Sequence, residues 1–145
     1  MSNSYNDFNR ALIEDLRANG GKASGGPFKG GQVLILTTKG AKSGEPREHP
    51  LAYSEDDGLH VIVASKGGAP TNPHWFHNLL KHPIVTVEVE GETYKAKAKV
   101  IEDDQEYERL YARHAELMPG FNEYRQKTSR RIPVIILEPI DEAAA

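Results

Sequence analysis

The rhythm of apolar and polar positions changes twice along the chain. Residues 5–19 set Phe8, Leu12, Ile13 and Leu16 on one helical face, with Ser4 placed to cap the start and Gly20-Gly21 to stop the run. This predicts an amphipathic helix. The following stretch, GGKASGGPFKGG at 20–31, is too rich in glycine to pack and predicts a flexible connection. From residue 32 the pattern turns to short β-branched runs, and six of them predict strands at 32–38, 47–54, 59–65, 84–90, 92–101 and 132–139.

The links EDDG at 55–58 and Gly91 are short, so the strands they join must run antiparallel. In 84–90, Val85, Val87 and Val89 alternate with Thr86, Glu88 and Glu90; in 92–101, Tyr94, Ala96, Ala98 and Val100 alternate with Lys95, Lys97 and Lys99. Glutamates on one strand are expected to face lysines on the next, which makes those lysines structural. Two helical stretches interrupt the strands. Asn72-Pro73 supplies a cap and a first residue for HWFHNLLKH, which Pro83 ends. A second helix starts near Asp103-Asp104, carries Tyr107, Leu110, Tyr111, His114 and Leu117 at helical spacing, and breaks at Pro119-Gly120 before a last turn, FNEYRQKT. Together these elements predict a mainly β, α+β fold, a small antiparallel barrel with helices outside it. A parallel doubly wound sheet needs more crossover helices than the chain supplies.

The chain has 145 residues, enough for one domain with a real core. It contains no cysteine, which removes disulfides, thiolate metal sites and cysteine nucleophiles from consideration. No apolar run approaches the ~20 residues of a membrane span, and the first residues lack a signal peptide's apolar stretch. The expected location is the cytoplasm. A net charge of −3 argues against nucleic acid as a partner. The charge is uneven: 22–47 holds Lys22, Lys29, Lys39, Lys42 and Arg47 against Glu45 alone. Such an island suits a small anionic ligand, or is simply a solvated basic loop.

Two stretches carry candidate chemistry. In KGAKSGEPR (39–47), Gly40 and Gly44 let the backbone approach a ligand while Lys42, Ser43 and Arg47 supply donors for phosphate or carboxylate, although the order is not that of a P-loop. In ASKGGAPTNPHW (64–75), Lys66-Gly67-Gly68 ends an apolar strand and leads into a helix whose N-terminal amides favour anions. Trp75, the one tryptophan, either covers the face of a planar ring or packs in the core. His74 and His77 stand at metal-compatible spacing without a third ligand, and no metal is expected. His49, His60, His82 and His114 show no partner in sequence. With no Ser/His/Asp elbow, paired-carboxylate motif or GxGxxG, an enzyme of this sequence must draw its chemistry from a cofactor.

LTTKGAKSGEPREHPL (36–51), VIVASKGGAPTNPHWFHNL (61–79) and MPGFNEYRQKTSRRIPVIILEP (118–139) resemble, in order and spacing, the deazaflavin-dependent nitroreductase family, which uses coenzyme F420. The resemblance implies a split β-barrel of the flavin-reductase and pyridoxamine-oxidase type. It implies a deazaflavin-binding domain over 32–145, with 1–31 as an N-terminal helix and linker. It also implies hydride transfer from F420H2 to an electron-poor acceptor such as a quinone or nitro compound. Carried over residue by residue, Ala41, Lys42, Ser43, Gly44 and Arg47 hold the cofactor's phosphate and oligoglutamate tail, and Pro50 and Leu51 continue along it. Ala64, Ser65, Lys66, His74, Trp75 and Asn78 border the ring and ribityl chain. Met118, Phe121 and Tyr124 line the acceptor side, with Ser65 and Tyr124 as the catalytic candidates.

Two departures from the family pattern bear on affinity and substrate. Ala41 stands where many members have arginine, which removes one cation near the tail. Met118 and Phe121 stand where some members carry tyrosine, so Tyr124 alone keeps a phenol there. The alternatives are an FMN-binding or haem-binding barrel of the same fold, or a non-catalytic deazaflavin carrier. The N-terminal helix has two readings of its own: docking on the barrel, or peripheral contact with a membrane.

Overall fold

A computed structural model describes residues 4–25 and 32–140. Among them the elements run α1 (Ser4–Ala18), β1 (Val33–Lys39), β2 (Pro46–Ala52), β3 (Ser54–Asp56), β4 (Leu59–Val63), a 3₁₀ turn (Lys66–Gly68), α2 (His74–Lys81), β5 (Ile84–Val89), β6 (Glu92–Val100), α3 (Asp104–Leu117), α4 (Gly120–Lys127) and β7 (Val134–Pro139). The strands form one antiparallel sheet in the order β2-β1-β5-β6-β7-β4-β3.

Seven strands replace the expected six because the run 47–54 changes partners in its middle. Ala52 pairs with Val33 of β1, whereas Ser54 pairs with Val61 of β4. Tyr53 between them donates its N–H to the Gln32 carbonyl at 3.1 Å. The two edges of the sheet are therefore consecutive in the chain, one residue apart, so the sheet curls into a half-barrel whose seam is Tyr53.

Three apolar clusters hold the layers together. Inside the curl, Leu34, Leu36, Tyr53, Ile62, Val87 and Leu137 meet Trp75, Phe76 and Leu79 of α2. Outside it, Val61, Val63 and Val134 pack against Tyr107, Leu110 and Tyr111 of α3. The third cluster seats Leu12, Ile13 and Leu16 of α1 on Val33 and Ile35. Strand β1 is thus covered on both faces, which is why VLIL reads as an unbroken apolar run instead of alternating. Docking is the outcome for the amphipathic helix. Burying its three aliphatic side chains is worth roughly 1.5–3 kcal/mol each before ordering costs.

Past α1 the chain turns at Gly20 and Gly21, both at positive φ. A Cβ on Gly21 would come within 2.5 Å of the Glu90 backbone nitrogen, so only glycine lets this return pass the β5–β6 turn. Of the predicted connection, residues 26–31 lie outside the described residues, as do 1–3 and 141–145.

Helix α3 begins as expected, with the Asp103 carboxylate accepting from the Glu106 N–H at 2.9 Å. Helix α2 does not. Pro73 occupies its cap position, and the Asn72 side chain accepts from Arg130 at 2.7 Å instead. The expected Glu–Lys pairs of β5 and β6 are also absent: Lys95 lies opposite Thr86, Lys97 opposite Ile84 and Glu88 opposite Thr93. Lys97 faces Glu138 of β7 on its other side, and Glu88 is taken by Arg17 of α1 at 2.7 Å. Alternation gave the faces of these strands correctly; register, which sets the pairs, depends on turn geometry that the pattern does not encode.

Candidate functional site

The first candidate loop is the turn between β1 and β2. It closes on itself through Gly40 N–H to the Glu45 carbonyl at 2.8 Å and Gly44 N–H to the Gly40 carbonyl at 2.9 Å. Helix α2 then grips it by the backbone of one residue. Asn78 Oδ1 accepts from the Ala41 N–H at 3.0 Å, and Lys81 Nζ donates to the Ala41 carbonyl at 2.8 Å. Lys42, Ser43 and Gly44 project beyond this clamp, exposed, and Arg47 follows on β2 with a long 3.8 Å contact to Glu45.

Arg130, from the segment before β7, supports the second loop. Its Nε donates to the Ala69 carbonyl at 2.9 Å, one terminal nitrogen to the Ala64 carbonyl at 3.3 Å and Asn72 Oδ1 at 2.7 Å, and the other to the Ser65 carbonyl at 2.7 Å. One planar fork therefore fixes the loop's start, middle and end. Within it Lys66 is held at φ 49°, a conformation that costs a side-chain-bearing residue about 1 kcal/mol or more, and its Nζ reaches Thr71 Oγ1 at 3.3 Å. Gly68, at φ 82°, lies under α4: a Cβ there would stand 3.0 Å from the Tyr124 carbonyl oxygen.

Between α1, β2 and the start of α2 lies a cleft of about 1060 Å³. Pro50, Leu51, Pro73, Trp75 and Ile13 give it apolar walls, and Arg10, Arg47 and Lys66 give it cations, with Glu14 and Glu48 as counter-charges. Trp75 packs in the inner core, and the small part of its surface left uncovered lines the cleft. Arg17 also lines the cleft and ties α1 to Glu48 and Glu88.

His49 is a titratable group strongly altered by this site. Burial first, then the positive charge of Arg47 and the neighbouring His74, pull its pKa down to about 4, so the ring is neutral at pH 7. Its Nε2 lies 3.2 Å from Thr38 Oγ1, which in turn receives the Asn78 amide at 3.0 Å.

A sequence model of the F420H(2)-dependent quinone reductase family matches residues 8–139, nearly the whole described chain and including α1. An F420H(2)-dependent quinone reductase of Mycobacterium tuberculosis H37Rv is 40% identical over 106 residues, 72% of this chain and 71% of the relative. The solved structure of an F420H2-dependent reductase superposes with a TM-score of 0.67 at 37% identity, covering 73% of this chain and 93% of the other. The chain belongs to the F420H(2)-dependent quinone reductase family. A pyridoxamine 5′-phosphate oxidase-like structure from Listeria innocua shares the fold alone, with a TM-score of 0.56 at 15% identity over 76% of this chain and 85% of that one. The half-barrel is thus a split barrel, the α+β architecture that the resemblance implied.

The family is F420H2-dependent, and the cofactor that the resemblance implied is long, with a fused ring at one end and anions at the other. The cleft's lining fits such a molecule: an apolar wall that includes Pro50, Leu51 and Trp75, a volume at the upper end of ordinary ligand sites, and the cations Arg47 and Lys66. Of the residues expected to bind it, Arg47, Pro50, Leu51, Lys66, His74 and Trp75 line the cleft together. Lys42, Ser43 and Gly44 stand on the turn beyond Arg47, and Asn78 lies behind the wall with its amide committed to Ala41 and Thr38. Ala64 and Ser65, just before Lys66 in the chain, are buried and do not line the cleft.

Met118, Phe121 and Tyr124 do not line this cleft. Phe121 and Tyr124 pack against the outer cluster, Phe121 edge-to-face with His114 at 4.4 Å between ring centroids. Through α4, Phe121 and Tyr124 are joined to the second loop at Gly68. Sequence reasoning missed Thr38, His49, Arg130 and the contribution of α1 through Arg10, Ile13, Glu14 and Arg17. Of these, Thr38 and His49 fall inside the first family-like stretch and Arg130 inside the third, which was the signal available for them.

Proposed function

We propose that this chain is an F420H2-dependent reductase that passes a hydride to a quinone, with nitro compounds as further electron-poor acceptors. The observation that carries this reading is the cleft in which Arg47 and Lys66, one from each loop, share an apolar wall with Trp75. When bound, the deazaflavin supplies two-electron hydride donation from C5. The protein's own task is to bind, orient and exclude water.

Lys42, Ser43, Gly44 and Arg47 take the anionic tail, with the Ala41 backbone held in place by Asn78. Pro50, Leu51, Lys66, His74 and Trp75 take the ring and its chain. Without an arginine at 41, tail binding rests on fewer cations and is sensitive to salt. The Ser65 hydroxyl makes no cap bond to the 3₁₀ turn, and we assign it the role of polarising an acceptor oxygen. Tyr124 is assigned the donor role on the acceptor side, beside Phe121 and Met118; the packing of α4 on Gly68 supports this.

No helix among the described residues is long and apolar enough to cross a membrane. Leu12, Ile13 and Leu16 are buried on β1, so we confine any peripheral membrane contact of α1 to the end bearing Phe8, and we place the protein in the cytoplasm. The test is titration with oxidised F420 followed by fluorescence, then turnover of the reduced cofactor with menadione. Saturable quenching with turnover is expected. Quenching without turnover of any acceptor would favour the carrier, and neither signal would end the proposal.

A further inference from the structure

The wall of the cleft contains a relay whose hydrogen-bond directions can be worked out from one end. The Ala41 N–H can only donate, so the Asn78 atom 3.0 Å away must be the carbonyl oxygen, and the amide nitrogen then points to Thr38 Oγ1 at 3.0 Å. Thr38 is 1% exposed, and its hydroxyl has one hydrogen to give. With Asn78 already donating to it, the partner left for that hydrogen is His49 Nε2 at 3.2 Å. If His49 donated instead, a buried hydroxyl hydrogen would have no acceptor, a cost of about 1–3 kcal/mol. Nε2 is therefore the acceptor, and the ring proton sits on Nδ1. A backbone amide three links away sets the tautomer of a cleft residue.

We propose that His49 is a ligand-binding residue of the cleft, locked by the Ala41–Asn78–Thr38 relay with its proton on Nδ1, which donates to an oxygen of the bound cofactor. The inference rests on the functional reading above and adds to it a fixed neutral donor between the two cationic loops. The groups around the ring act in the same direction. Arg47 on β2 and His74 on α2 oppose a positive charge there, Glu48 offsets them only in part, and burial outweighs all three. An imidazolium would also have to donate from Nε2 to Thr38, which would leave the Thr38 hydrogen without an acceptor. Thr38 and Asn78 act through His49 and are positioning residues.

Imidazole ¹⁵N spectra of the cofactor-free protein at pH 7 test the relay directly. The expected result is an Nδ1–H pattern for His49 that becomes a tautomer mixture in Thr38→Val. An Nε2–H or doubly protonated ring in the unaltered protein overturns the proposal. Affinity tests the donor: His49→Phe is expected to weaken F420 binding about tenfold, and His49→Gln, which can accept from Thr38 and still donate, to recover most of the loss. Repeating the comparison with the ring-and-ribityl fragment, which lacks phosphate, locates the accepting oxygen. A loss that persists puts it on the ring or the ribityl chain, and one that disappears puts it on the tail. Unaltered protein that fails to bind F420 overturns the functional reading together with this use of the donor. Normal binding that His49→Phe leaves unchanged overturns this inference alone.

Discussion

The guanidinium of Arg130 donates to the Ser65 carbonyl at 2.7 Å, and its other nitrogens reach the carbonyls of Ala64 and Ala69 and the side chain of Asn72. Burial pushes the pKa of Arg130 down, yet guanidinium remains charged at any ordinary pH. The loop that bears Ser65 and Lys66 is therefore shaped by a residue more than sixty positions away. Arg130→Gln cannot satisfy the same acceptors. It should lower unfolding stability by about 2–3 kcal/mol in urea titrations. It should also weaken F420 binding by at least about tenfold, with Arg130→Lys recovering little of it.

Gly68 tests the link between the second loop and α4. A methyl group there meets the Tyr124 backbone at 3.0–3.1 Å and also requires a side-chain-bearing residue at φ 82°. Gly68→Ala should cost about 1–3 kcal/mol and shift α4. If Tyr124 serves the acceptor, KM for menadione should rise more than the Kd for F420. Equal effects on both would remove α4 from the acceptor side.

The attachment of α1 separates two kinds of contact. Leu16 is 2% exposed at the centre of the third cluster, and Leu16→Ala should cost about 2–5 kcal/mol. Arg17 bridges Glu48 and Glu88 from a half-exposed position, so Arg17→Ala should cost about 1 kcal/mol or less, and less again in 0.5 M salt. Urea titrations at low and high salt would distinguish them. A larger loss for Arg17 would show that the helix is held chiefly by charge.

Two imidazoles, one buried and one half-buried, give the stability a defined dependence on pH. His49 and His114 both have pKa values pulled down to about 4, chiefly by burial; His114 pairs its Nδ1 with Ser54 Oγ at 2.8 Å and has no hydrogen-bond partner at Nε2. In the unfolded chain each ring takes up its proton near pH 6.5, and in the folded chain only near pH 4. Their stabilisation is therefore complete above about pH 6.5 and is lost as the pH falls toward 4, on the order of 3 kcal/mol for each ring. Unfolding free energies at pH 7.5, 6 and 5 should fall steadily, and His114→Gln should flatten the slope. A flat profile in the unaltered protein would contradict the burial argument.

Where periodicity is strong, the sequence was a good guide. The alternation of Val85, Val87 and Val89 named the buried face of β5, and Asp103 with Glu106 marked the start of α3, because both are local patterns. The division of 47–54 at Tyr53 was invisible, since nothing in the run itself records that its halves pair with different strands. The candidate site was legible at Arg47, Pro50, Leu51, Lys66, His74 and Trp75, which line the cleft. Arg130, Thr38 and His49 were not, because each acts through a partner distant in sequence, and a lone residue carries no sign of what it will meet.

The seam at Tyr53 has a mechanical consequence. Strand β3 beyond it is anchored to α3: Arg109 forks onto the Asp56 carboxylate, and Arg113 reaches the Glu55 carbonyl. Strand β2 before it forms the cleft wall, and its far end is moored by Ala41 to α2. That wall is a taut span fixed at both ends, so strain applied at α3 has a short covalent route to the residues that face the ligand.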